Sequence, residues 1–141
     1  MEKLAISDEG SDFIGRFSEP NNVEMSSFTY DTGVGSTELN GLANANFAQM
    51  YFTSGAGDYS LSFDGDLQRY TSVTIESGLS TVNIIVPEGV NAQVTFDGSL
   101  TTVNIDSGWN QNGNIYAHSG SGPTIAITIK MGTGTLNLKI E

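Results

Sequence analysis

The residues of this chain that could do chemistry are few. His118 is the sole histidine and Trp109 the sole tryptophan. Both lie with Tyr116 in one stretch, Trp109-Asn-Gln-Asn-Gly-Asn114 followed by Ile115-Tyr-Ala-His118 and Ser119-Gly-Ser-Gly-Pro123. Serines and aspartates that could complete a Ser–His–Asp arrangement abound, but no nucleophile-elbow motif is present. His118 is therefore expected as a surface or loop histidine. A zinc site on it would need three further ligands, all carboxylates, since the chain has no cysteine. Asp64-Gly-Asp66 and Asp97-Gly98 read as equivalent turns after Phe63 and Phe96, with Asp58 and Asp106 near them. Such carboxylates could converge as oxygen ligands for calcium. Aspartate before glycine is already accounted for by turn geometry, and no Gly-Gly-x-Gly-x-Asp nonapeptide occurs. Glycoside hydrolysis would need two acids at a set separation in an aromatic-lined groove, whereas these acids sit mainly at turns. No catalytic residue, metal ligand or cofactor is assigned, and the chain is not expected to be an enzyme. Tyr51, Tyr70, Trp109 and Tyr116 are expected to be exposed, where aromatics bind sugars or proteins. Trp109, Tyr116 and His118 are the candidate partner-binding residues.

The elements that must position these residues are marked by a glycine-led cassette. It reads Gly33-Val-Gly-Ser-Thr-Glu-Leu39, Gly55-Ala-Gly-Asp-Tyr-Ser-Leu61, Gly78-Leu-Ser-Thr-Val-Asn-Ile84, Ser99-Leu-Thr-Thr-Val-Asn-Ile105 and Gly132-Thr-Gly-Thr-Leu-Asn-Leu138, at spacings of 22, 23, 21 and 33 residues. Repetition on that scale marks a stacked architecture. Around the cassettes the apolar residues alternate, as in Val82-Asn-Ile84 or Ile125, Ile127, Ile129 and Met131, which is the pattern of half-buried strands. No segment carries a 3.6-residue period. The pattern predicts an all-β fold, a short right-handed parallel β-helix-like solenoid of about five coils. Stacked in sequence at about 4.8 Å per layer, these would make a rod on the order of 24 Å long. The alternative is an antiparallel β-sandwich, which also has many short strands. Near-identity of Ser80-Thr-Val-Asn-Ile84 with Thr101-Thr-Val-Asn-Ile105 favours the solenoid. Residues 1–22 read as an acidic lead-in or cap, and 23–141 as one domain with a loop insertion at about 109–123. An insertion in a solenoid bulges from one face, often a binding face.

Composition bounds the partners. Among 141 residues the formal net charge is −11, with only five Lys and Arg, none close to another in sequence. Phosphate backbones and anionic headgroups need clustered positive charge, so nucleic acid is not an expected partner. The acidity reads first as a source of solubility. No run of 18 apolar residues exists, so this segment does not insert in a membrane. The opening Met1-Glu-Lys-Leu-Ala-Ile6 lacks a signal peptide's apolar stretch. Either the chain is cytoplasmic or an export segment has been removed.

Gly33-Val-Gly-Ser-Thr-Glu-Leu39, Gly55-Ala-Gly-Asp-Tyr-Ser-Leu-Ser-Phe63, Val73-Thr-Ile-Glu-Ser-Gly78 and Ile84-Ile-Val-Pro-Glu-Gly89, in an order ending in Gly-Thr-Gly-Thr-Leu-Asn-Leu138, resemble the bacterial toast-rack or putative-adhesin repeat domains. These are related to the C-terminal region of cell-wall-active antibiotic response proteins. The resemblance spans about Val23 to Glu141. It implies a β-helix-like stack and a place in the cell envelope or outside the cell, and it carries no catalytic residues. The function expected is a non-enzymatic interaction module, adhesin-like or envelope-stress-sensing, that presents loops to a protein or glycan. The alternatives are a polysaccharide-active β-helix enzyme and a self-assembling element that forms a homodimer through its solenoid ends.

Overall fold

The structure is a computed structural model, and it describes residues 3–8, 13–16, 25–45, 47–64, 70–106, 108–121 and 123–140. The all-β expectation holds. Among these residues there is no α-helix, and a 3₁₀ turn spans Leu42–Ala45. The strands are β1 (Lys3–Asp8), β2 (Phe13–Arg16), β3 (Met25–Asn40), β4 (Phe47–Ser62), β5 (Thr71–Val86), β6 (Asn91–Ile105), β7 (Asn110–Asn112), β8 (Ile115–His118) and β9 (Thr124–Ile140). They form one mixed sheet in the order β1-β3-β4-β5-β9-β6-β8-β7, with β2 also on β3. All pairs among β1 to β6 and β9 are parallel. The β6–β8 and β8–β7 pairs are antiparallel. Residues 3–8 and 13–16, within the stretch read as a lead-in, add to β3 as a further layer.

The long strands are bent, and their burial pattern says why. In β5, Thr71, Val73, Ile75 and Ser77 are buried, then Ser80, Val82, Ile84 and Val86. The step from 77 to 80 changes parity. In a straight strand the two apolar sets would face opposite sides of the sheet. A corner between them turns both inward, so each strand has a first and a second arm enclosing one core. Contacts across the corner bear this out: the Phe52 and Tyr59 rings lie edge to face at 5.1 Å, and Tyr30 and Thr37 hydroxyls are 3.2 Å apart. Ser77 and Ser80 hydroxyls also meet there, with Ser54 donating to Ser77 at 3.0 Å.

Register pairing turns these positions into columns. Tyr30, Phe52, Ile75, Ile129 and Phe96 line one core column, and Leu39, Leu61, Ile84, Leu138 and Ile105 another. Gly35, Gly57 and Gly134 share the corner column, with φ of 146°, 143° and 139°. There the backbone is left-handed, and a Cβ on Gly57 or Gly134 would overlap the carbonyl oxygen of Gly35 or Ser80 in the next layer.

One expectation is overturned. The layers do not stack in chain order: β9, last in sequence, enters between β5 and β6. A charge pattern accompanies this order. Direct β5–β6 pairing at the 21-residue cassette spacing would set Glu76 beside Asp97. Instead Lys130 pairs in register with both acids, which separates two like charges that would otherwise lie directly opposite each other. The asparagines agree with this placement. Asn137 Nδ2 donates to Asn83 Oδ1 at 2.8 Å, and Asn104 Nδ2 donates to Asn137 Oδ1 at 2.9 Å.

Candidate functional site

Residues 109–121 form a cap. Its hairpin, β7 and β8, turns at Gly113 with φ 64° and lays β8 antiparallel on the first arm of β6, with Tyr116 opposite Val94 and His118 opposite Ala92. Period two then decides which side chains face the core: Tyr116 and His118 do, and Ile115 faces out. The Trp109 and His118 rings lie 6.0 Å apart, and Trp109, Tyr116 and His118 are 4%, 5% and 8% exposed. The expectations of exposed Trp109 and Tyr116 rings and of a surface or loop His118 are therefore corrected. The end of a stacked core must be covered, and these are the large side chains available to cover it. Tyr51 and Tyr70 are exposed as expected, at 43% and 61%.

His118 ties the cap down. Nδ1 lies 2.9 Å from the Gly108 carbonyl and Nε2 lies 2.7 Å from the Glu88 carbonyl. Carbonyl oxygens only accept, so both bonds form together only when both ring nitrogens carry protons. The ring also lies 6.0 Å from the Trp109 ring. The indole Nε1 of Trp109 is buried with no hydrogen-bond partner among the described residues. Beside His118, a hollow of about 340 Å³ is lined by Glu88, Asp106, Gly108 and Ile140. Asp106 is engaged there, its Oδ2 accepting from Ile140 N at 3.0 Å.

The aspartates do not converge. Asp97 lies inside β6, in register with Lys130, whereas Asp64 follows the second arm of β4, so the two are not equivalent turns. Asp64 Oδ1 accepts from Gly41 N at 2.6 Å and from Ser62 Oγ at 2.9 Å, pinning the connection to the 3₁₀ turn. Asp58 sits in a second-arm row beside Ser36 and Thr81. Asp66 lies outside the described residues. Among the described residues no three His, Asp or Glu side chains are grouped to hold a metal ion.

The outward positions form polar rows that the cassette reading did not single out. Thr29, Tyr51, Thr74, Thr128 and Thr95 run in register across the first arms. Beside them run Asp31, Thr53, Glu76, Lys130 and Asp97. Tyr51 OH donates to Gln49 Oε1 at 2.9 Å, within its own face. A surface depression of about 430 Å³ lies at the corner end of the charged row, lined by Thr53, Glu76, Asp97 and Lys130 together with Ser54, Ser77, Met131 and Gly132. The signal for these rows was present as the polar half of each alternation; only strand order could align them.

No family model matches the chain, and no curated protein matches it. Among solved structures, it is similar to a crystal structure described as a putative cell adhesion protein from Clostridium sporogenes ATCC 15579. The TM-score is 0.83 at 18% identity, over 99% of this chain and 92% of the other. At that identity the likeness is one of fold. The chain thus has the all-β architecture of that protein. No helix among the described residues is long and apolar enough to cross a membrane.

Proposed function

We propose that this chain is a non-enzymatic interaction module of the bacterial cell envelope, adhesin-like or stress-sensing, that displays a polar face from a rigid repeat core. The observation that carries it is the register of the outward side chains: exposed Tyr51 stands in a threonine row beside a charged row and a shallow depression. An aromatic face flanked by hydroxyls, amide and carboxylate suits a glycan or a polar protein surface. The adhesion description of the structural neighbour supports the same reading. So does the toast-rack resemblance, under which the bent strands are coils of a right-handed parallel solenoid with one coil out of chain order. The binding face moves from the 109–123 insertion to the first-arm face, because Trp109, Tyr116 and His118 are committed to the cap. A polysaccharide-active enzyme is the weaker reading. Glu76 and Asp97 share the depression, but both are exposed with Lys130 between them, whereas a glycosidase acid sits in an apolar pocket.

The test is binding of the purified chain to bacterial wall preparations and to a glycan panel. Tyr51→Ala, with its fold verified by circular dichroism, should lose most of the binding. Undiminished binding would remove the face from consideration, and absence of binding to every surface tested would count against the module itself.

A further inference from the structure

β6 ends the stack of long strands, and its outer edge is half covered. β8 pairs with it only over residues 92–95, and Phe96 N donates to Asn114 O at 2.9 Å. From Asp97 to Ile105 no strand among the described residues lies on that side. The core columns register the gap. Leu39, Leu61, Ile84 and Leu138 are 0–1% exposed, whereas Ile105 in the same column is 38% exposed. Val103 is only partly buried where Tyr59, Val82 and Leu136 are at most 1% exposed.

β5 shows what such an edge takes. Glu76-Ser-Gly-Leu-Ser-Thr-Val-Asn-Ile84 and Asp97-Gly-Ser-Leu-Thr-Thr-Val-Asn-Ile105 align residue for residue. β9 occupies the side of β5 that corresponds to the open side of β6. Against β5, Lys130 meets Glu76, Leu136 meets Val82, Asn137 meets Asn83 and Leu138 meets Ile84. The amide ladder has a direction, each Nδ2 donating toward β5, so Asn104 Oδ1 is its terminal acceptor. Asp97 has Lys130 on one flank and an open edge on the other.

We propose that residues 97–105 are a docking edge for one extended segment of a partner polypeptide, added in parallel as the next layer. The segment carries a basic residue opposite Asp97, glycine at the corner, and an apolar–Asn–apolar triplet against Val103, Asn104 and Ile105. Main-chain pairing supplies affinity and the alternate side chains supply selectivity. A second copy of the chain fits poorly, because β8 and β7 overhang the edge by two strand spacings, about 10 Å. This deepens the interaction-module reading by naming a partner chemistry, and it uses a surface apart from Tyr51.

The probe is a peptide of residues 130–140, the sequence that pairs with β5. Titrated onto the full chain, it should bind saturably at one per chain. It should slow hydrogen exchange of edge amides in 102–105 and leave 81–84 unchanged. Lys130→Glu in the peptide should weaken binding at least about tenfold, since it sets like charges together. Ile105→Asp in the protein should abolish binding, and the peptide variant Leu138→Asp gives the same reading without altering the protein. Absence of binding at millimolar peptide, or equal binding of a scrambled peptide, would overturn the proposal. So would loosened amides at 81–84, which mean that the peptide displaces β9. Light scattering that shows a dimer with 97–105 already protected would assign the edge to a second copy instead. Peptide binding should survive Tyr51→Ala, so failure here and failure of the wall-binding face are told apart.

Discussion

At the residue scale, the side chains that looked most chemical are buried. Trp109 is buried with an N–H that has no partner among the described residues, so two substitutions should separate packing from polarity. Trp109→Ala removes a large core side chain and should cost about 3–5 kcal/mol in denaturant unfolding. Trp109→Phe keeps an aromatic ring and removes the unsatisfied donor, and it should fall within about 1 kcal/mol of the parent. As the sole tryptophan, it should also emit blue-shifted fluorescence that iodide quenches poorly until the cap opens. Glycines divide in the same way. Gly57→Ala meets both a left-handed φ and the Gly35 carbonyl, and should cost more than about 3 kcal/mol or prevent folding. Gly113→Ala has a φ of 64° but nothing within 4 Å, and thermal melts should show a loss of only about 1–2 kcal/mol.

At the element scale, the placement of β9 between β5 and β6 is the least expected feature. Two rows accompany it: Glu76–Lys130–Asp97 and Asn83–Asn137–Asn104. Lys130→Glu would put three acids side by side and should lower the melting temperature by several degrees, more at low salt than at high. Adding Glu76→Lys and Asp97→Lys should restore most of the loss. If the triple variant melts no higher than Lys130→Glu alone, charge does not set the order. The cassettes themselves were legible as strands because their apolar residues alternate. Their bend was legible only as glycine at a fixed place. What hid the stacking order is that β5 and β6 have nearly the same sequence, so either could neighbour β4 or β9 by pattern alone.

At the scale of the whole molecule, the described residues close one end of the stack on its first-arm side with the β7–β8 hairpin and leave it open on its second-arm side. The hairpin carries Tyr116 and His118 into the core end, so deletion of residues 109–122 should uncover it. We expect the deletion to yield a chain that melts at much lower temperature or aggregates, measured by calorimetry and light scattering. A deletion variant as stable as the parent would remove the cap role. The polar face over the first arms is a property of the assembled stack, since Tyr51, Thr74 and Glu76 come from separate strands.

By itself the sequence determined the all-β class, the strand stretches, the glycine corners and the acidic, cysteine-free surface, because alternation, turn chemistry and composition are local and each is written in consecutive residues. Only the tertiary structure decided which layer lies beside which, that Trp109, Tyr116 and His118 are buried, and where an edge is left open. Those outcomes depend on which charges, amides and apolar columns meet across strands, and residues 54 positions apart, such as Glu76 and Lys130, leave no local trace of their meeting.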